Sequence, residues 1–260
     1  LDGIEHWLCG MEPPLHGLHL DALVLSGKNI VLVHGGGRKV NELAARLGIS
    51  QQMVGGRRIT SAETLELCTM VYAGLISKNL VAQLMSKGKN AIGLSGADLG
   101  IIRSQRRVTQ DVDFGFVGDV TAVNAGIIAD FLTKEIMPVI CSVTIGTEFE
   151  LLNTNADTIA AEVAAALAER FKVNLIYCFE KNGVLRDISD EKSVIESISE
   201  WEFETMKADG TVAEGMIPKL QTAFSAARRG AANVSIIHSS QLAANLTGTA
   251  TGTAIIKSND

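Results

Sequence analysis

The chain has 260 residues, of which 47% are hydrophobic and 20% charged, which suffices for one large domain or two lobes around a substantial core. Its formal net charge of −6 provides no basic field for nucleic acid or for an anionic membrane, so neither partner is expected. No run approaches the roughly 20 apolar residues of a membrane span, and no secretory signal is apparent. The four cysteines, Cys9, Cys68, Cys141 and Cys178, form no C-x-x-C pair, which favours reduced thiols and a cytoplasmic protein.

The predicted elements alternate between strands and helices along the chain. Strands are predicted at residues 29–33, 91–94, 137–143, 173–179 and 233–237. Helices are predicted at residues 40–47, 62–87, 124–133, 157–170 and 218–229. This alternation favours an α/β fold, with a mainly parallel sheet covered by helices on both faces. If the chain has two lobes, we expect them to share one continuous sheet, with a boundary near Leu151.

The first predicted strand runs directly into the glycine turn His34-Gly35-Gly36-Gly37, and a helix follows. Ligands gather at the carboxyl ends of parallel strands, so this turn and those after Leu94 and Phe179 are expected near ligands. Glycines let the backbone approach a ligand closely, and free N–H groups at a helix start hold anions. The simpler alternative is a tight turn that needs glycine only for its backbone angles.

Two arginines, Arg57 and Arg58, follow the flexible pair Gly55-Gly56. The planar guanidinium fork suits a carboxylate, whereas a solvated basic turn is the alternative. Thr60 or Ser61 is expected to cap the helix that follows.

A polar run, Asn153-Thr154-Asn155-Ala156-Asp157, precedes the alanine-rich helix. Either Asn155 or Asp157 simply caps that helix, or the run is a polar cluster in which Asn153 donates to a substrate and Asp157 orients lysines. Further along, Lys219 stands in the first turn of a helix, where the helix dipole disfavours a cation. It therefore either faces an anion such as a phosphate or is an ordinary exposed lysine.

Six motifs occur in the order and spacing of one known family. They are Val31-Leu32-Val33-His34-Gly35-Gly36-Gly37, Arg58-Ile59-Thr60, Gly115-Phe116-Val117-Gly118-Asp119-Val120, residues 153–157, residues 215–219 and Gly252-Thr253. From about Gly27 to Ile256 the chain resembles N-acetylglutamate kinase, a family of the amino acid kinase superfamily. The resemblance implies a three-layer αβα sandwich, with an N-acylglutamate-binding lobe in residues 1–150 and an ATP-binding lobe in residues 151–260.

The resemblance also implies a reaction and its participants. The family uses ATP and Mg²⁺ to phosphorylate the side-chain carboxylate of N-acetyl-L-glutamate, an early step of arginine biosynthesis. The substrate would be held by Gly36, Gly37, Arg58 and Asn153. Lys219 would stabilise the charge on the phosphoryl group in flight, and Asp157 would organise the lysines.

Two further segments are implied to bind the nucleotide. The residues concerned are Glu180, Lys181, Asn182, Gly183, Val184 and Leu185, with Thr211, Gly215 and Met216. The family often has Thr-Asp-x-x-Gly-Val in the first segment, where this chain has Phe179-Glu180-Lys181-Asn182-Gly183-Val184. No metal site built from protein side chains is expected, because Mg²⁺ would bridge the ATP phosphates.

The amino-terminal residues 1–20 depart from the family. Its opening strand ends in Lys-x-Gly-Gly, whose lysine is the second phosphate-neutralising cation, and that position falls near Ile4 here. No lysine precedes Lys28. Three explanations fit: a sequence fault that rejoins the family pattern near Asp21, divergence that lowers or removes activity, or a new function. A zinc site formed by His6-x-x-Cys9 and His16-x-x-His19 has suitable residue types, but its spacing is shorter than in zinc fingers.

Several alternatives remain open from the residues alone. N-succinylglutamate is an alternative substrate, and a glutamate, aspartate, carbamate or nucleoside monophosphate kinase is an alternative enzyme. A non-catalytic ligand-binding protein would keep Arg58 and Asn153 and lack the amino-terminal lysine. Arginine-inhibited members of the family carry an extra amino-terminal helix that assembles hexamers, and the chain has no room for one. The resemblance therefore predicts an arginine-insensitive homodimer.

Overall fold

The computed structural model describes residues 5–11, 17–212, 215–249 and 251–257, with the backbone alone at residues 5–9, 11, 17 and 18. The strands are β1 Glu5–Met11, β2 Asn29–His34, β3 Gln52–Val54, β4 Arg57–Ile59, β5 Ala91–Leu94, β6 Ile102–Arg106, β7 Gly118–Val123, β8 Met137–Cys141, β9 Val143–Ile145, β10 Leu151–Asn153, β11 Lys172–Phe179, β12 Ser197–Ser199, β13 Asn233–His238 and β14 Thr253–Ile256. The helices are α1 Gly17–Leu25, α2 Gly37–Leu47, α3 Ala62–Thr69, α4 Ser77–Ser86, α5 Ala125–Thr133, α6 Ala156–Ala168, α7 Glu200–Ala208, α8 Ile217–Arg228 and α9 Leu242–Leu246.

Eight strands form the main sheet, in the order β12-β14-β13-β11-β1-β2-β8-β5. Every neighbouring pair is parallel except β13 and β14. Side chains on one strand alternate between the two faces of a sheet. Accordingly, Val31 and Val33 pack with helices α5, α6 and α8, whereas Ile30 and Leu32 pack with α1 to α4 on the other face. The predicted three-layer αβα sandwich is confirmed.

The predicted strand at residues 137–143 divides at Ser142. The part before it is β8 of the main sheet, and the part after it is β9 of a second, four-stranded sheet with the order β10-β9-β6-β7. The buried Ser142 hydroxyl donates to the carbonyl oxygen of His34 at 2.9 Å, which fixes the point where the chain leaves the main sheet. The sequence did not predict this second sheet, because several of its strands have only three residues.

The single helix predicted at residues 62–87 is a helical run interrupted by a π-helical stretch, Met70–Ile76, between α3 and α4. Ser61 caps its start by accepting from the backbone N–H of Thr64, as one of the two predicted caps. By length and composition the run Ala62–Ser86 also meets the requirements of a membrane span, although the sequence reading found no such stretch. One of its faces lies in the core, where Leu67 and Leu84 are fully buried.

The strand β1 was not predicted, and it lies in the middle of the main sheet between β2 and β11. Gly10 pairs with Val33 on one side and with Tyr177 on the other. The carboxyl end of β1 is therefore at Gly10 and Met11, beside the glycine turn that follows β2. The predicted position of the family's lysine near Ile4 lies outside the described residues.

Two other expectations remain untested. The division at residues 150 and 151 stays a prediction; it falls just before β10, which pairs with β9 in the second sheet. The zinc hypothesis depends on the side chains of His6, Cys9 and His16, which lie outside the described part of the chain.

Candidate active site

A cavity of about 160 Å³ lies where β2 and β10 end. Three segments line it, residues 35–37, residues 56–58 and residues 153–157, together with Met53, Tyr72, Val117 and Ser142. All four predicted substrate residues, Gly36, Gly37, Arg58 and Asn153, line this one cavity, and so does Asp157.

Arg58 is buried at the wall of the cavity, with 8% of its surface exposed. Its guanidinium donates to the side-chain oxygen of Asn41 at 2.7 Å, to Gln51 Oε1, and to the carbonyl oxygen of Gly37 at 3.2 Å. These acceptors orient the guanidinium, but because they are neutral they do not compensate its positive charge. A buried arginine held in this way favours an anionic ligand, and a carboxylate matches its fork.

Gly36 is a position where only glycine fits. Its φ of 153° is a backbone conformation that residues with a side chain rarely adopt, and a Cβ there would lie 2.3 Å from Ile76 Cδ1 and 3.1 Å from the Tyr72 ring. Tyr72 and Ile76 both belong to the π-helical stretch. The π-helical stretch therefore packs directly against the glycine turn. Such π-helical turns are frequent at functional sites.

His34 lies directly before the glycine turn and is fully buried. Desolvation lowers the pKa of His34 from 6.5 to about 4, although a hydrogen bond with Gly35 opposes the shift. The neutral ring can donate from Nδ1 to the Gly35 carbonyl oxygen, 2.9 Å away. His34 thus supports the turn as a neutral side chain at physiological pH.

Asn153 reaches the cavity from the end of β10. Its side-chain amide donates to the Thr60 hydroxyl at 3.0 Å, and Thr60 in turn donates to the Arg58 carbonyl oxygen at 3.2 Å. The backbone N–H of Asn153 donates to the carbonyl oxygen of Phe116 at 2.9 Å. Asn153 and Arg58 are therefore linked through Thr60, which is itself fully buried.

Two helices begin at the cavity. Helix α2 starts at Gly37 without a side-chain cap. Helix α6 starts after Asn155, whose side-chain oxygen accepts from the backbone N–H of Thr158 at 2.9 Å and so caps the helix. Gly35 and Ala156 bring the two starts together, because a Cβ on Gly35 would lie 3.6 Å from the Ala156 methyl group. Both helix dipoles present their positive ends to the cavity, which favours an anion there.

Asp157 and Lys219 form an ion pair at one side of the cavity. Lys219 Nζ lies 2.6 Å from Asp157 Oδ2, and the two side chains are only 21% and 18% exposed. The same Nζ lies 5.8 Å from the ring centroid of Phe179, the last residue of β11. Lys219 is therefore a largely buried, paired lysine, and the roles expected for Lys219 and Asp157 in the reaction stay predictions.

A second, smaller cavity of about 50 Å³ lies between the two segments expected to bind a nucleotide. Among its lining residues are Lys181, Gly183, Val184, Leu185, Thr211 and Met216. The other expected residues, Glu180, Asn182 and Gly215, do not line it. Glu180 pairs with Arg38, and Asn182 donates to the Glu191 carbonyl oxygen at 3.3 Å.

The sequence analysis missed four residues that line the larger cavity: Met53, Tyr72, Val117 and Ser142. A further one, Arg57, was noted only as part of the basic turn. Burial and the neighbouring charge of Arg107 lower the pKa of Arg57, while Asp119 opposes them. No local pattern marks Tyr72, because its place at the cavity depends on the π-helical turn.

A metal site of the usual protein ligands is not found in residues 5–11, 17–212, 215–249 and 251–257. No group of three or more His, Cys, Asp or Glu side chains in this part of the chain could hold a metal ion.

The sequence and the structure were compared with known proteins. The sequence pattern of the amino acid kinase family matches residues 19–238, so the first 18 residues lie outside the match. Acetylglutamate kinase from Bacteroides thetaiotaomicron is 52% identical over 234 residues, which are 90% of this chain and 91% of that protein.

Solved structures share the fold. The crystal structure of smu.665 from Streptococcus mutans has a TM-score of 0.81 at 27% identity, covering 96% of this chain and 98% of that one. Carbamate kinase from Giardia lamblia bound to AMP-PNP has a TM-score of 0.68 at 16% identity, covering 98% and 99% of the two chains. The second likeness concerns the fold alone.

Proposed function

This chain belongs to the amino acid kinase family, and on that premise we propose that it transfers the γ-phosphoryl group of ATP to the side-chain carboxylate of N-acetyl-L-glutamate. This reaction is a step of arginine biosynthesis. The relative with 52% identity is an acetylglutamate kinase, and the similarity spans nine-tenths of both chains.

The observation that best supports this proposal is the charge balance of the larger cavity. Arg58 is buried among neutral acceptors, and two helix starts point into the same space. A small dicarboxylic acid supplies the negative charge that this arrangement lacks. We propose that Arg58 binds the α-carboxylate and that Gly36, Gly37 and Asn153 donate to the remaining polar groups of the substrate.

The reaction needs positive charge more than it needs a base. A carboxylate oxygen of the substrate attacks the γ-phosphorus, the bond from that phosphorus to the β,γ-bridging oxygen breaks, and ADP leaves with that electron pair. No proton moves, because the nucleophile is already ionised. Catalysis therefore depends on alignment and on stabilising the charge of the group in transfer. Lys219 is our candidate for that role, held in position by Asp157.

The nucleotide is proposed to bind along residues 180–185 and near Thr211, Gly215 and Met216. Mg²⁺ is proposed to come with the nucleotide. In reactions of this kind Mg²⁺ is held mainly by phosphate oxygens and water. That ion would neutralise part of the phosphate charge.

N-succinyl-L-glutamate is the second candidate substrate. The presence of a second arginine, Arg57, in the wall of the larger cavity favours it. N-acetylglutamate carries two carboxylates, of which one accepts the phosphoryl group; the succinyl compound carries a third. Arg57 and Arg58 both line the cavity. Burial, and after it the charge of Arg107, lower the pKa of Arg57 although Asp119 opposes them, so an added carboxylate there would be favourable.

We further propose a cytoplasmic homodimer, with the helical run Ala62–Ser86 at the contact. Met70, Leu75 and Met85 are about half exposed on it, and a second copy of the chain would cover them. The cysteines Cys68, Cys141 and Cys178 are buried, which suits a reducing compartment. Light scattering should give twice the mass of one chain, and arginine should not inhibit. A hexamer or a monomer would contradict the dimer.

The experiment for the proposed function is trapping of the acyl phosphate by hydroxylamine, with ATP, Mg²⁺ and either acid. Formation of a hydroxamate together with ADP supports the kinase. If the succinyl compound is the substrate, Arg57→Ala should lower kcat/KM for it and leave that for the acetyl compound within about two-fold. Binding of an acid without any turnover would instead support a non-catalytic protein.

A further inference from the structure

An ion pair crosses the carboxyl end of the central strand. Arg38 stands in the first turn of α2, after the strand β2, and Glu180 is the first residue after β11. Arg38 lies 2.5 Å from Glu180. The strand between β2 and β11 is β1, so this pair bridges two strands that are not neighbours.

The residues next to this pair in the chain line the two cavities. Gly37, next to Arg38, lines the larger cavity, and Lys181, next to Glu180, lines the smaller one. On the proposed function, a phosphoryl group passes from a nucleotide in the smaller cavity to an acid in the larger one. Arg38 and Glu180 each adjoin, along the chain, a residue that lines one of these cavities.

A second cation reaches the same strand end. Lys219 Nζ lies 5.8 Å from the ring centroid of Phe179, the residue immediately before Glu180. Two cations thus lie near the end of β11: Lys219 forms an ion pair with Asp157, and Arg38 forms one with Glu180. They differ in burial, because the Arg38 and Glu180 side chains are 53% and 70% exposed.

We propose that Arg38 is a catalytic residue that binds the β- and γ-phosphates of the nucleotide, leaving Glu180 when the nucleotide arrives. This inference rests on the proposed kinase function. An exposed ion pair is weak and is readily exchanged for a phosphate, which carries more charge and matches the guanidinium fork. Arg38 then supplies positive charge from the turn beside β1, a strand whose residues Glu5–Met11 include no lysine.

The test compares Arg38→Ala with Arg46→Ala, a change of an exposed arginine in the last turn of the same helix. Arg38→Ala should lower kcat about 100-fold, the usual loss of one charge-stabilising group. It should also weaken binding of ATP, measured by calorimetry, and leave binding of AMP unchanged, since AMP lacks the β- and γ-phosphates. Arg38→Lys should restore part of kcat. Arg46→Ala should behave as the unchanged protein in every assay.

Two variants separate the parts of the proposal. Glu180→Gln should tighten ATP binding by no more than about five-fold, because it removes a weak exposed ion pair with Arg38. If Glu180→Gln weakens ATP binding as much as Arg38→Ala does, the exchange of partners is wrong. If Arg38→Ala keeps kcat and ATP affinity within two-fold of an active unchanged protein, the inference is overturned while the kinase function stands. An unchanged protein that neither binds ATP nor forms hydroxamate contradicts the proposed function itself, and the inference with it.

Discussion

The two cavities differ in how firmly their walls are fixed. In the larger cavity, Arg58 and Thr60 are buried and hydrogen-bonded, and Gly36 is wedged against the π-helical stretch. Around the smaller cavity, Val184 is buried, but the neighbouring stretch of residues 186–192 is exposed, and Lys181 contacts it only through an exposed pair with Glu191 at 3.4 Å. A buried network orders its side chains before a ligand arrives, whereas an exposed one adapts to it.

The comparison indicates a division of labour. On the proposed function, the small acid would bind in a cavity whose polar wall residues are already held by hydrogen bonds. The nucleotide is large and charged, and its own binding energy can order the exposed segment around it. Changes at buried residues of the first cavity should therefore cost more than changes at the exposed residues of the second.

The largest expected effect is at Lys219, which pairs with Asp157 at the wall of the larger cavity. Lys219→Ala should lower kcat by about 10²–10³-fold while KM for the acid changes little, because the charge it neutralises develops only during transfer. Steady-state kinetics measure both constants. Lys207→Ala, a change of an exposed lysine paired with Glu204, is the matched control and should leave them unchanged. A loss confined to KM would place Lys219 in substrate binding instead.

The next effect is a pH dependence of stability from His34. Its pKa is about 4 in the folded chain and 6.5 when unfolded, so below pH 6.5 the unfolded state binds more protons. Stability should be full above pH 6.5, fall as the pH drops to about 4, and lose nothing more from this group below that. The loss is worth about 3 kcal/mol.

Urea unfolding at pH 7 and pH 4 measures the His34 effect. The same measurement on His34→Asn serves as the reference, because the carboxylates titrate in both proteins. The change between pH 7 and pH 4 in the difference of their unfolding free energies is then due to His34. Parallel pH profiles of the two proteins would show that His34 is not buried in its neutral form.

Arg58 should show a smaller loss that is mainly one of binding. Arg58→Ala removes the donor to Asn41, Gln51 and Gly37 and should raise KM for the acid about 10- to 100-fold, with a lesser change in kcat. Leaving those acceptors without a partner should also lower the unfolding free energy by about 1–3 kcal/mol. Kinetics and urea unfolding test the two parts, and an unchanged KM would remove Arg58 from the substrate site.

The smallest effect is expected at Lys181, beside the second cavity. Its contact with Glu191 is exposed, so Lys181→Ala should change the unfolding free energy by less than about 1 kcal/mol. KM for ATP should rise only a few-fold. A loss of stability as large as that of Arg58→Ala would mean that the two cavities do not differ as described.

Much of the main sheet was predictable because its strands are continuous apolar runs that end in glycine or polar turns. Strand β2 and its turn are the clearest case, and the prediction at residues 91–94 matches β5. Strand β1 could not be predicted, since Glu5–Met11 contains no β-branched residue and owes its place to the partners on both sides. The short strands β9 and β10 were missed because three residues show no periodicity.

The candidate site was predictable where residues near in sequence supply it, and less so where the fold brings distant residues together. The glycine turn and the polar run before α6 both line the cavity, as the ends of strands should. The pair of Lys219 with Asp157 joins residues 62 positions apart; the polar run indicated that Asp157 orients lysines, but no local pattern identified Lys219 as the partner. Neither the pair of Arg38 with Glu180 nor the place of Tyr72 has a local signal, because both depend on how strands and helices pack.

Calorimetric titration of the nucleotide-free chain with N-acetyl-L-glutamate and N-succinyl-L-glutamate tests the difference between the cavities most directly. We expect one of these acids to bind without ATP, with an affinity that Arg58→Ala lowers and Lys219→Ala leaves nearly unchanged. Binding that appears only after a nucleotide is added, or no binding of either acid under any condition, would contradict a preformed acid site.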